Sequence, residues 1–183
     1  MSVKVPLHGL APSRYDVFLS YHDKDLGKSF ASDLYSALTN AGFVVYMNNH
    51  NQTNFSAIEA SGTSIIIFSS NFDASTWFLE ELEKILECCR STGQVVVPVY
   101  YGVDDSDVRH QRGSFGKVTK SYESIRYRAA FLEAAQIPGF DIGNSSRPPI
   151  GGRVGWVVPL RLRPIFLTAH GPGLERVKLI TIS

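Results

Sequence analysis

Ser64-Ile65-Ile66-Ile67-Phe68-Ser69, followed after a short polar break by Trp77-Phe78-Leu79-Glu80-Glu81-Leu82, decides the fold of this chain. The first run is apolar and rich in β-branched residues, the pattern of a short buried strand. The second opens a helix in which Phe78, Leu82, Ile85 and Cys89 recur along one face until Gly93 stops it. A buried strand that feeds a helix is one step of a parallel α/β sheet. Trp77 and Glu81, four residues apart, share one side of that helix.

Working outward, short apolar runs and helical patterns keep alternating. Tyr15 to Ser20 reads as the first strand. Asp25 to Ala41 reads as the first helix, with Phe30, Leu34 and Leu38 along one stripe and Gly42 as its stop. Phe43 to Met47 is the second strand, and polar Asn48 to Asn54 leads to a helical stub around Phe55 to Ala60. Beyond the opening stretch, Gln94 to Tyr101 is a Val-rich fourth strand covered on both faces. Val103 to Arg112 is a loop with a short helix, its Ser106-Asp107-Val108-Arg109 a capped turn. Tyr122 to Ala135 is a longer helix and Gly139 to Ile142 a brief fifth strand. The expected fold is α/β: a flavodoxin-like parallel sheet of about five strands with helices on both faces.

In such a sheet, ligands bind beyond the carboxyl ends of the strands where the winding reverses, between the first and third strands. Ser20-Tyr21-His22-Asp23 and Ser69-Ser70-Asn71 occupy those ends, and the helix carrying Trp77 and Glu81 begins beside them. That pair marks a candidate nucleotide site. A receiver domain needs an aspartate after its third strand, where this chain has Ser69, Ser70 and Asn71. A dinucleotide fold needs glycines after its first strand, where Ser-Tyr-His-Asp-Lys-Asp stands. Zinc-protease, nucleophile-elbow and phosphate-loop motifs do not occur.

The 183 residues, 44% hydrophobic and 19% charged, suit one globular domain with its own core. Six of the 18 basic side chains but only Glu175 of the 17 acidic ones fall in residues 147–183, so the preceding part is net negative. It has no bulk attraction for nucleic acid. Adjacent Cys88 and Cys89 suit neither a metal site nor a disulfide framework, and read as reduced thiols. No apolar run has the length of a signal peptide or membrane span, so the expectation is a cytoplasmic protein with no membrane partner.

Four ordered stretches carry a family resemblance. They are Tyr15-Asp16-Val17-Phe18-Leu19-Ser20-Tyr21, Phe30-Ala31-Ser32-Asp33-Leu34-Tyr35-Ser36-Ala37-Leu38, Trp77-Phe78-Leu79-Glu80-Glu81-Leu82, and Val103-Asp104-Asp105-Ser106-Asp107-Val108-Arg109 with Gly113-Ser114-Phe115-Gly116. Together they resemble plant Toll/interleukin-1 receptor (TIR) domains, the front modules of intracellular immune receptors. The resemblance spans residues 13–144, after a lead of residues 1–12. Residues 145–183, rich in Gly, Pro and Arg, read as a flexible tail outside it.

The resemblance implies a domain that associates with itself or with other TIR-domain proteins, and in many plant members cleaves the N-glycosidic bond of NAD+. NAD+ is then a substrate, and no cofactor or metal is expected. Glu81 stands at the family's catalytic glutamate. Trp77 is expected to stack on a flat ring of the substrate, with Ser20, Tyr21 and His22 lining the opposite wall. Several positions depart from the family pattern: Asp33 stands for its histidine, Phe78 for its cysteine and Asp105 for its proline, and the segment from Met47 to Ala57 is shorter by about ten residues. The alternative to an enzyme is a non-catalytic interaction module.

Overall fold

The alternation of short strands and helices closes into a sheet whose two faces are both covered. The computed structural model describes residues 14–22, 27–48, 53–70, 72, 75–117 and 122–142, together with the backbone of 157–160, 163–169 and 177–181. The elements run β1 (Tyr15–Ser20), α1 (Gly27–Asn40), β2 (Val45–Met47), α2 (Phe55–Glu59), β3 (Ser61–Ser69), α3 (Thr76–Thr92) and β4 (Val95–Tyr101). There follow α4 (Asp105–Arg109), a 3-10 turn at Gly113–Lys117, α5 (Tyr122–Ala134) and β5 (Phe140–Ile142). The five strands are parallel and ordered β2-β1-β3-β4-β5. That is the doubly wound order expected, and it puts the reversal of winding between β1 and β3.

Period-two alternation sorts the strand residues onto two cores. Phe18, Ile66, Phe68, Val96 and Tyr100 join the cluster formed with α3 and α5. Val17, Leu19, Ile65, Ile67, Val97 and Val99 join the other, with Phe30, Leu34 and Leu38 of α1. Both flanks of β3 and β4 are therefore apolar, which is why these strands read as unbroken hydrophobic runs.

The helix α3 is held on three sides. Phe78, Leu82 and Ile85 are fully buried, but the buried arc is wider than the stripe read from the sequence and takes in Leu79, Glu81, Leu86 and Cys88. Cys89, expected inside, is half-buried near the helix end. The widening has a cause: α3 packs against α2 and α5 as well as the sheet. Phe68, Phe72, Phe78, Phe115 and Phe131 interlock beneath its first turns, with ring centroids 4.8–6.3 Å apart. Ion pairs Arg126–Glu83 at 2.7 Å and Arg90–Glu133 at 2.6 Å join it to α5.

Gly93 ends α3 in the left-handed region at φ 70°, its N–H donating to the Cys88 carbonyl. A Cβ there meets nothing within 4 Å. Gly93→Ala is thus expected to cost only the backbone strain, about 1 kcal/mol, read as a lowered urea midpoint at unchanged slope. A larger loss would mean a steric conflict that the open surroundings do not contain.

Other boundaries shift modestly. β2 is shorter than expected because the Val44 N–H bonds the Asp16 carboxylate at 2.7 Å instead of a neighbouring strand. β3 begins three residues early, at Ser61. The capped turn takes its cap from Asp104, whose side chain accepts from the Ser106 N–H at 2.8 Å. Asp23, Asp25, Asn71 and Ala74, which the sequence reading used, lie outside the described residues.

Residues 145–183 carried the expectation of a flexible tail without periodicity. Their described backbone forms an antiparallel sheet of β6 (Val157–Leu160), β7 (Arg163–Ala169) and β8 (Val177–Thr181). The β-branched and aliphatic content of these stretches, separated by Gly and Pro, accounts for the strands.

Candidate functional site

At the carboxyl end of β1, alternation gives Ser20 and His22 to the α3 side and Tyr21 to the other. All three are buried. Tyr21 packs in the α1-side core with Phe30 and Leu34, and so does not line the site as the sequence reading expected. At and just past the strand end, Ser20, Tyr21 and His22 keep its alternation, so Tyr21 falls on the face away from α3.

On α3, the four-residue spacing sets Trp77 one turn before Glu81. Two rungs result. In the outer rung, His22 and Trp77 stack with centroids 5.5 Å apart and planes 17° from parallel. They touch each other rather than face across an opening, because burying both flat rings together removes apolar surface from water. The expectation of opposite walls is corrected accordingly. The inner rung holds Ser20 and the Glu81 carboxyl, which has no exposed surface.

Glu81 is held unevenly. Asn48, the first residue past β2 and 5% exposed, donates from Nδ2 to Glu81 Oε2 at 2.6 Å. Glu81 Oε1 is buried with no hydrogen-bond partner, and Ser20 Oγ likewise makes no bond of full geometry. Burial pushes the Glu81 carboxyl up to about 7, with Ser20 and Asn48 pulling it the other way. The hydroxyl of Ser20 therefore acts on the carboxyl by proximity, short of a well-aligned bond. A carboxyl poised near neutrality, one oxygen fixed and the other unsatisfied, is equipped to meet a cation or a hydrogen-bond donor.

Asn48 was not singled out in the sequence, where it opens a polar linker. Its signal was its place, directly after a strand whose end adjoins that of β1. The linker's far side is anchored too: the Thr53 hydroxyl donates to the Trp77 carbonyl at 3.0 Å, and Asn54 Nδ2 to the Tyr46 hydroxyl at 2.7 Å. Among the described residues, no cluster of three or more His, Cys, Asp or Glu side chains is arranged to hold a metal ion. Nor, among them, is any helix long and apolar enough to cross a membrane.

Known proteins share this arrangement of sequence. The family model described as the TIR domain matches residues 14–147. Disease resistance protein RPV1 of Vitis rotundifolia is 39% identical over 141 residues, covering 70% of this chain and 10% of that protein. TMV resistance protein N of Nicotiana glutinosa is 37% identical over 142 residues, covering 68% of this chain and 12% of its own length. The chain thus spans about a tenth of these relatives. Among solved structures, the TIR domains of the activated Roq1 resistosome, which directly recognises the pathogen effector XopQ, superpose with a TM-score of 0.65 at 35% identity. That match covers 72% of this chain and 90% of the other.

Proposed function

Since this chain belongs to the TIR domain family, we propose that it serves plant immune signalling by cleaving the N-glycosidic bond of NAD+ to nicotinamide and ADP-ribose products. The observation that carries this reading is the buried Glu81 carboxyl with Oε1 unsatisfied, at the reversal of winding and one turn from Trp77. Nicotinamide departs with the bonding electron pair, turning from a cationic ring into a neutral one, so its departure needs no general acid. What builds up is positive charge on the ribose, and a nearby carboxylate in a poorly screened site stabilises it. Water then adds to the ribose carbon and releases a proton.

Trp77 and His22 contribute flat faces for a planar substrate ring. Their mutual stack means that a ring entering between them takes the place each now gives the other. Ser20 remains beside the carboxyl, while Tyr21 packs in the α1-side core. A cytoplasmic setting and association with other TIR-domain proteins complete the proposal; the resistosome named above is an assembly that contains such domains.

The closed state of the site favours a second reading, a non-catalytic module that associates with TIR-containing receptors: Glu81 is 0% exposed under the stacked pair. The two separate by experiment. Purified protein at high concentration is expected to release nicotinamide from NAD+. No release at any concentration, together with co-purification with a full-length TIR receptor, would establish the module instead.

A further inference from the structure

Of the two Glu81 oxygens, Oε2 alone has a well-aligned hydrogen bond, and Asn48 makes it. β2 ends at Met47, so the next side chain, Asn48, leaves the sheet at its carboxyl edge, and it is buried there against α3. Its amide is uncharged, donates from Nδ2 to Oε2 at 2.6 Å, and spans 33 residues of sequence to do so. Oε1 is left buried without a partner. A glutamate side chain has three rotatable bonds before its carboxyl, and one fixed oxygen removes much of that freedom.

We propose that Asn48 is a positioning residue: it ties Oε2 of Glu81 to the protein and thereby reserves Oε1 for the positive or hydrogen-bond-donating atom of the ligand. This rests on the reading of Glu81 as the reactive carboxylate. An asparagine suits the task better than an aspartate, because two carboxylates in contact cannot both ionise readily. An apolar side chain of the same size would leave both oxygens buried and unpartnered.

The groups gathered around the carboxyl bear on its titration. Ser20 at the end of β1 and Asn48 just past β2 act on it directly, while His22, past the end of β1, stacks on Trp77 one turn earlier on α3. From α2 and α5, Glu59, Arg126 and Glu133 approach α3 but pair with Lys84, Glu83 and Arg90. Burial, Ser20 and Asn48 are what move Glu81. Removing the Asn48 donor therefore raises its midpoint, and adding a charge at that place raises it further.

The test is a 13C NMR titration of the glutamate carboxyls in the full chain, with the Glu81 signal assigned by its loss in Glu81→Gln. Asn48→Leu is expected to raise the Glu81 midpoint by about one unit, Asn48→Gln to restore it, and Asn48→Asp to give two coupled steps. If Asn48→Leu does not fold, Asn48→Asp carries the same test. In parallel, nicotinamide release by Asn48→Leu is expected to fall about fivefold at pH 7, where the wild-type carboxyl is half ionised, and to recover towards pH 9, as its acid limb moves up. An unmoved midpoint and an unchanged rate profile in a wild type that cleaves NAD+ would overturn the positioning role and leave the enzyme reading standing. A moved midpoint in a protein that never releases nicotinamide would confirm the tether and overturn the reservation of Oε1 for that substrate.

Discussion

Glu81→Ala is expected to lower nicotinamide release by about 100- to 1,000-fold, the usual consequence of removing one preorganised electrostatic partner of a transition state. Glu81→Gln is expected to lose about as much, since its amide is neutral and keeps the contact with Asn48 in form. The loss belongs in kcat rather than KM, because the carboxylate matters most when charge has developed on the ribose. The wild-type rate is also expected to rise with pH through about 7, where burial has placed the Glu81 midpoint, and to level above it. Full activity in either variant, with the fold verified by circular dichroism, would remove Glu81 from the chemistry. An activity that falls with rising pH across that range would mean that the protonated acid does the work.

The same burial makes Glu81 costly to the fold, and Glu81→Gln is expected to be the more stable protein at alkaline pH. The carboxyl titrates near 4.5 when exposed and near 7 in the folded chain. Below the first value both states are protonated and no penalty exists. Between the two, the folded chain keeps a proton that the unfolded chain has released, so stability declines as pH rises. Above the second, both are ionised and the penalty is complete at about 3 kcal/mol. Urea denaturation of the two proteins at pH 5 and pH 8 is expected to show their difference widening by about 2–3 kcal/mol in favour of the Glu81→Gln protein, whose side chain stays neutral. A difference that stays constant with pH would mean that the carboxyl is better solvated or better paired than its burial implies. Both results have one origin, a charge kept where the fold alone would exclude it, and such conflicts between stability and function gather at working sites.

Much of this was legible from residues alone. β1 spans Tyr15–Ser20 as its composition indicated, and Gly42 and Gly93 stop their helices with positive φ, since glycine alone enters that region without strain. The order of the sheet followed from alternating strand and helix signals. Trp77 and Glu81 were linked by spacing along one helix, a local relation that needs no neighbours. The exclusion of Tyr21 was also within reach, because a strand sends consecutive side chains to opposite faces, but the crevice was read as a run of residues rather than as one face.

What sequence alone determined is thus what depends on local repeat: period two in strands, 3.6 in helices, and the glycines that punctuate them. The tertiary structure decided the rest. Only packing of α3 against α2, α5 and the sheet widened its buried arc enough to enclose Glu81, brought Asn48 to it across 33 residues, and laid His22 on Trp77. Those contacts join elements that share no sequence periodicity, and the electrostatic environment of a carboxyl is the sum of whatever surrounds it in space.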